Sequence, residues 1–430
     1  MKLAFDAPLE AMSADERRLL LERRPPEEAG VGEAVAAIVA DVRARGDDAL
    51  RELAREHDRV ELDALEVPRT RWRAAARRLP TDVTAALERA AANIAAFHRA
   101  QLPADWEMET EPGVVVGRRW VPLAAAGVYA PGGLAAYPSS VLMGVIPARE
   151  AGVGEVVVCS PPGPKGEPPG AVLAACALAG ASRLFAVGGA GAVAAMAYGT
   201  ESVPAVDAVV GPGNRWVTEA KRQVAGDVVI DAPAGPSEIA VVADGTAPAR
   251  LVALEMAAQA EHDPDAAAVL ITPSARLAAA ARRELRVIVA ESERRRVVGE
   301  ALAARGAIVL TRSLDEATGF ARAYAPEHLA LYVADPDAAM EQVPTAGTVF
   351  LGPASSVAFG DYMTGANHVL PTGGLSRSYS SLSADHFVRS FTWQRILPEA
   401  AASLARPVAR LARLEGLPGH AETALARITP

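Results

Sequence analysis

Cysteine is scarce in this chain: Cys159 and Cys176 are the only two in 430 residues. They lie in Val-Val-Val-Cys and Ala-Ala-Cys-Ala-Leu, apolar runs in which each reads as a buried small hydrophobe rather than a disulfide partner or nucleophile. An excess of positive charge is missing too. The 43 Lys and Arg are outnumbered by 52 Asp and Glu, a net charge of −9 that argues against nucleic acid or an anionic membrane as the main partner. No apolar run reaches membrane-spanning length, because Arg, Glu, Gly or Pro breaks each Ala-rich segment. The opening Met1-Lys-Leu-Ala-Phe-Asp lacks the basic-then-apolar layout of a secretory signal. The expectation is a soluble cytoplasmic protein. Lysine occurs only at Lys2, Lys165 and Lys221, and asparagine only at Asn93, Asn214 and Asn367. Asn214 and Asn367 fall in Gly-rich loops, where Asn serves either turn geometry or a site.

What is present suits a globular chain. Half the residues are apolar and 22% charged, and the length suggests two or three domains. Residues 1–110 read as helical, opened by the capping box Ser13-Ala-Asp-Glu16. His57 and His98 lie on charged helices there and read as solvent-facing. Short β-rich runs at Val114–Val121, Gly127–Tyr129, Glu155–Cys159, Arg183–Val187, Asp207–Val210 and Val228–Ile230 then alternate with helical segments. The pattern is repeated by strands at Glu238–Val242, Ala267–Ile271, Ile308–Leu310, Leu329–Val333 and Thr348–Leu351. Such alternation predicts parallel sheets covered on both faces. The fold class is α/β, with one α/β domain over 111–236, another over 237–380, and helical extensions at 1–110 and 381–430.

Several loops carry uncommon polar residues, and ligands in open parallel sheets sit beyond the carboxyl ends of strands. Gln259 and His262 are three apart at the end of a helix that Pro264 stops, so they share a face and can ligate a divalent cation, or simply form a surface pair. Glu327-His328 places a carboxylate and an imidazole just before an apolar strand, as a base or as a polar strand start. Asp361 can be a carboxylate ligand or a turn cap, and His420 a ligand or a helix cap. His368 reads as a structural hydrogen-bonding group. Gln259, His262, Asp361 and His420 together would make a mixed N/O site suited to Zn²⁺ or another borderline ion. Gly189-Ala-Gly191 imitates a dinucleotide fingerprint, but no acidic residue ends the next strand; Asp207 stands at its start.

These stretches together resemble the histidinol dehydrogenase family: Gly127-Val-Tyr129-Ala-Pro-Gly-Gly133, Gly199-Thr-Glu-Ser-Val-Pro, Gly211-Pro-Gly-Asn214, Ala234-Gly-Pro-Ser237-Glu, Gln259-Ala-Glu-His262-Asp-Pro, Tyr324-Ala-Pro-Glu327-His328, Gly360-Asp361-Tyr and Glu415-Gly-Leu…His420. The resemblance implies oxidation of L-histidinol to L-histidine through the aldehyde with two NAD⁺, by a zinc-bound homodimer built of two incomplete Rossmann-like domains whose C-terminal tails are exchanged. It implies Gln259, His262, Asp361 and His420 as metal ligands, the last from the partner subunit. Glu327 and His328 would be the catalytic pair. Ser237, Glu415, His328 and the ligands would contact the substrate, and Tyr129 and Asn214 the NAD. Where the family usually carries Gln, this chain has Gly191, so one polar contact to the cofactor is expected to be lost. The open alternatives are a dehydrogenase of another polar alcohol on the same scaffold, a zinc hydrolase, and a non-catalytic nucleotide-binding module.

Overall fold

The computed structural model describes residues 2–23, 30–132 and 136–428. Gly133, which closes the loop after Tyr129, lies outside them. Among the described residues fourteen strands run in order: β1 Phe5–Pro8, β2 Trp106–Glu111, β3 Val114–Pro122, β4 Ala125–Tyr129, β5 Glu155–Ser160, β6 Arg183–Ala186, β7 Ala208–Val210, β8 Val229–Ile230, β9 Glu238–Ala243, β10 Ala267–Thr272, β11 Gly306–Leu310, β12 His328–Tyr332, β13 Thr348–Leu351 and β14 Val388–Ile396.

Two parallel sheets form the body. The first has the order β6-β5-β4-β7-β8 and the second β1-β11-β10-β9-β12-β13. The central strands are continuous Val/Ala/Ile/Leu runs, and every residue of β9, β10 and β12 is buried. Helices cover both faces, as sheets without a polar side require. The order turns at β4 in the first sheet and at β9 in the second. The α/β reading therefore holds.

Three elements depart from the sequence reading. The N-terminal region is helical over most of its length, but β1 leaves it to pair with β11 at the edge of the second sheet. The run at 114–122 is not part of the first parallel sheet. It pairs antiparallel with β2 and with β14 in a separate ribbon, residue for residue from Val388 opposite Pro122 to Ile396 opposite Val114. The C-terminal tail is thus entered by a strand before its helices Pro398–Leu414 and Pro418–Leu425 begin. His98 is fully buried rather than solvent-facing, while His57 is exposed. His98 Nδ1 pairs with the Ile94 carbonyl at 2.8 Å and Nε2 with Asn367 Nδ2 at 3.2 Å. Burial pushes its pKa down, so the neutral ring is the form this core accepts. Both cysteines are free and buried, which pushes their thiols up and away from reactivity.

The turn after β7 demands glycine. Gly211 has φ +118°, and a Cβ there would run into the Tyr129 carbonyl. Gly211→Ala should destabilise the protein by about 1–3 kcal/mol, seen as a lower urea midpoint at unchanged slope.

Candidate functional site

The site is built upward from the register of β9 on β12. His328 stands opposite Ile239, so the first residues of the two strands, with Glu238 and Glu327, share one edge. The main chain of Glu238 serves both candidates. Its N–H donates to Glu327 Oε2 at 2.6 Å, and its carbonyl accepts from His328 Nδ1 at 2.9 Å. A carbonyl can only accept, so Nδ1 carries the hydrogen and Nε2 is the open nitrogen. His328 Nε2 is buried without a hydrogen-bond partner, 3.7 Å from Asp361 Oδ1. Glu327 Oε2 faces His328 Nδ1 at 3.4 Å.

The electrostatics follow from burial. Taking Glu327 out of water raises its pKa, with the His328 charge pulling the other way. Burial works against the His328 imidazolium, but the Glu327 and Asp361 carboxylates outweigh it and push that pKa well above its ordinary value. Burial acts to raise Asp361, yet His328, His368 and His262 together hold its carboxylate low. His262 and Asp361 are therefore electrostatic neighbours. His368 Nδ1 pairs with the Asp361 carbonyl at 3.0 Å, the structural role read from the sequence.

Two helices bring the remaining candidates. Helix Ala249–Ala260 ends with Gln259 buried, and His262 follows one turn later, exposed, its N–H on the Gln259 carbonyl at 3.3 Å. Helix Val357–Tyr362 carries Asp361. Glu255 fastens the two helices. Buried on the first, it accepts the Tyr332 hydroxyl at 2.9 Å and the Val357 N–H at 3.3 Å. Gly360 lies against the Phe350 ring, where a Cβ would be 2.7 Å away, so Asp361 sits as close to β13 as glycine permits. Ser237 is half-buried just before β9.

Some candidates are held elsewhere. Tyr129 ends β4 with its hydroxyl accepting the Gly189 N–H at 3.2 Å, and burial pushes its pKa up to about 12. Asn214 caps helix Arg215–Val224, accepting from the Trp216 and Val217 N–H groups at 3.0 and 3.3 Å. Glu415 and His420 are exposed on the C-terminal helical pair, and no hydrogen bond or ion pair joins them to Gln259, His262 or Asp361. Among the described residues no three His, Cys, Asp or Glu side chains gather as a metal group within one chain. The expectation that loops lie beyond carboxyl strand ends is met in the first sheet, where Tyr129 and Gly211–Asn214 follow β4 and β7. In the second it is not: Ser237, Glu327 and His328 stand at the amino ends of β9 and β12. Sequence reading also missed Glu238, Glu255 and Arg23. Glu238 was visible only as a strand residue after Ser237, and nothing in Arg23's surroundings distinguishes it from other arginines.

Comparisons with known proteins agree on one kinship. The sequence model described as histidinol dehydrogenase matches residues 21–428. A histidinol dehydrogenase of Methanothermobacter thermautotrophicus is 49% identical over 90% of this chain and 91% of its own. One from Haloarcula marismortui is 49% identical over 96% of this chain and 97% of its own. A crystal structure of histidinol dehydrogenase from Elizabethkingia anophelis superposes with a TM-score of 0.93 at 31% identity, covering 100% of this chain and 98% of that one.

The clasp between the two helices yields a test. Tyr332→Phe removes a donor from the buried Glu255 carboxylate and should cost about 1–3 kcal/mol, measured by urea unfolding.

Proposed function

Since the chain belongs to the histidinol dehydrogenase family, we propose that it oxidises L-histidinol to L-histidine through the aldehyde, using two NAD⁺ and one zinc ion per site in a cytoplasmic homodimer. The observation that carries this reading is the buried, unpartnered His328 Nε2 beside the Asp361 carboxylate, a polar atom that folding alone leaves without a use. The donor set fits zinc: the Gln259 amide, the His262 imidazole, the Asp361 carboxylate, already held ionised, and His420 of the partner subunit. When bound, zinc would hold the substrate's amine and imidazole while NAD supplies the hydride acceptor.

The chain's own groups handle the protons. In its neutral form His328 Nε2 takes the alcohol proton as the first hydride leaves, and the aldehyde results. Glu327 then takes a proton from water, whose oxygen adds to the aldehyde carbon while His328 returns the proton on Nε2 to the carbonyl oxygen, giving the diol and a neutral ring. His328 Nε2 takes a proton from the resulting diol as the second hydride leaves, giving the carboxylic acid. Water is thus the source of the second product oxygen. Ser237 and Glu415 are assigned to the substrate, Tyr129 and Asn214 to NAD. Asn214 Oδ1 is occupied by its cap, so its amide nitrogen is the group left to meet the cofactor.

The C-terminal tail supports the dimer. Leu411, Leu414 and Leu417 are 63%, 83% and 42% exposed beside Glu415 and His420, an apolar face fit to be covered by a second copy. The division into residues 1–110, 111–236, 237–380 and 381–430 is part of the same proposal, the last segment being exchanged.

His328→Asn should lower kcat by about 10²–10⁴-fold, and Glu327→Gln should spare the first oxidation while slowing the second, so that NADH formed per histidinol falls from two toward one. Retained wild-type turnover in His328→Asn would reverse the assignment. Subunit exchange tests the shared site. Mixing Glu327→Gln with His420→Asn homodimers should restore about a quarter of wild-type activity, whereas ligands from a single chain would restore none.

A further inference from the structure

Arg23 is separated from Glu238 by 215 residues and from Tyr324 by 301, yet its guanidinium touches both. Nε and Nη2 grip Glu238 Oε1 and Oε2 at 3.1 and 2.9 Å. Nη2 also donates to the Tyr324 carbonyl at 2.8 Å, and the fork lies 3.4 Å from the centroid of the Tyr324 ring. Nη1 closes the set on the Leu21 carbonyl at 3.0 Å. Both charged side chains are 4% exposed. The Gly373 N–H adds a third donor to Glu238 at 2.8 Å.

The two segments so joined are those that hold Glu327 and His328. On one side, the Glu238 main chain receives both of them. On the other, Tyr324 leads through Ala325, a non-glycine residue with φ +50°, into Pro326 and the pair itself. Left-handed backbone at alanine persists only where its surroundings hold it. A buried ion pair is in general poor value for stability against apolar side chains of the same size. This one sits directly behind two reacting groups and fixes the strand start on one flank and the strained turn on the other.

We infer that Arg23, acting through Glu238 and the Tyr324 carbonyl, is a positioning residue for the Glu327–His328 pair. It rests on the histidinol-oxidation reading for its kinetic consequence, but not for its geometric one. A lysine keeps the charge and loses the fork, so it can reach one of these partners but not all of them.

The experiment compares zinc-loaded wild type with Arg23→Lys and Glu238→Gln, the latter a near-isosteric change that serves if Arg23→Lys folds poorly. Steady-state kinetics on histidinol are read beside zinc content, urea midpoint and ¹⁵N-histidine NMR, with the His328 Nδ1–H signal assigned by its loss in His328→Asn. For whichever variant folds, kcat should fall about 10–100-fold with KM within about threefold of wild type, and the Nδ1–H signal should shift as its bond to the Glu238 carbonyl loosens. A variant whose signal stays in place, or whose kcat falls only with its folded fraction, overturns the inference. Wild type that fails to oxidise histidinol sinks the functional reading alone; a shifted signal in the variants would then still establish Arg23 as the clamp.

Discussion

The registered start of β9 against β12 is the constraint on which the site depends. One peptide on each side of Glu238 supplies a donor to Glu327 and an acceptor to His328, so two side chains are aimed by backbone that the sheet itself fixes. Backbone groups cannot change rotamer. That makes them better supports for the candidate pair than any flexible side chain. The arrangement also explains why the pair stands at the amino ends of the second sheet. At that end the Glu238 N–H and C=O are left free by the ladder to bond Glu327 and His328.

Burying this much charge needs compensation at each step. Glu238 is neutralised by Arg23, Asp231 by Lys221, and Glu255 is satisfied by a tyrosine hydroxyl and a helix N–H. Each of these buried groups stands behind a loop or helix carrying a candidate site residue. Lys221 Nζ also bonds the Gly211 and Ala232 carbonyls at 3.1 and 3.2 Å, holding the turn that ends in Asn214. Within the candidate site the compensation is incomplete. His328 Nε2 has no partner, and its imidazolium is raised by carboxylates on both sides. An unpartnered ring nitrogen flanked by two carboxylates is the arrangement that makes His328 the candidate for proton transfer.

The candidate residues were easier to read from the sequence than the groups that support them, for a physical reason. Strand-helix alternation and Gly/Pro punctuation are local, so the two parallel sheets were legible, and so were loops with rare polar residues such as Glu327-His328. Supports act across the chain. Arg23 looks like any of the many arginines until folding sets it against Glu238. His98 was misread because a charged helix says nothing about which of its faces another element will cover; it is Asn367 and the Ile94 carbonyl that give the ring its buried partners. β14 was missed because its partner β3 lies far back in the chain, and β1 because a four-residue edge strand has too short a pattern to separate from a helical neighbourhood. Asn214 was expected to meet a cofactor and is found as a helix cap, which occupies its oxygen and leaves its amide nitrogen.

Gly191, where the resemblance implied a glutamine, is closed by packing. A Cβ at this position would stand 2.8 Å from Leu53 Cδ1 and 3.3 Å from Leu50 Cδ2. The glycine is therefore filled over by leucine side chains rather than left as open space. The N-terminal helix Asp47–Leu53 has closed onto it, and the apolar contact occupies the start of the path a longer side chain would take. Restoring a glutamine here would have to displace Leu53 before its amide could reach anything, so the polar contact and the leucine contact compete for one space. The same helix is anchored at its other end by Asp47, which accepts from Thr200 Oγ1 at 2.7 Å and from the Ser202 N–H at 3.2 Å. Packing at 191 and anchoring at 47 thus act on one short helix, and a change at either must be read through the other.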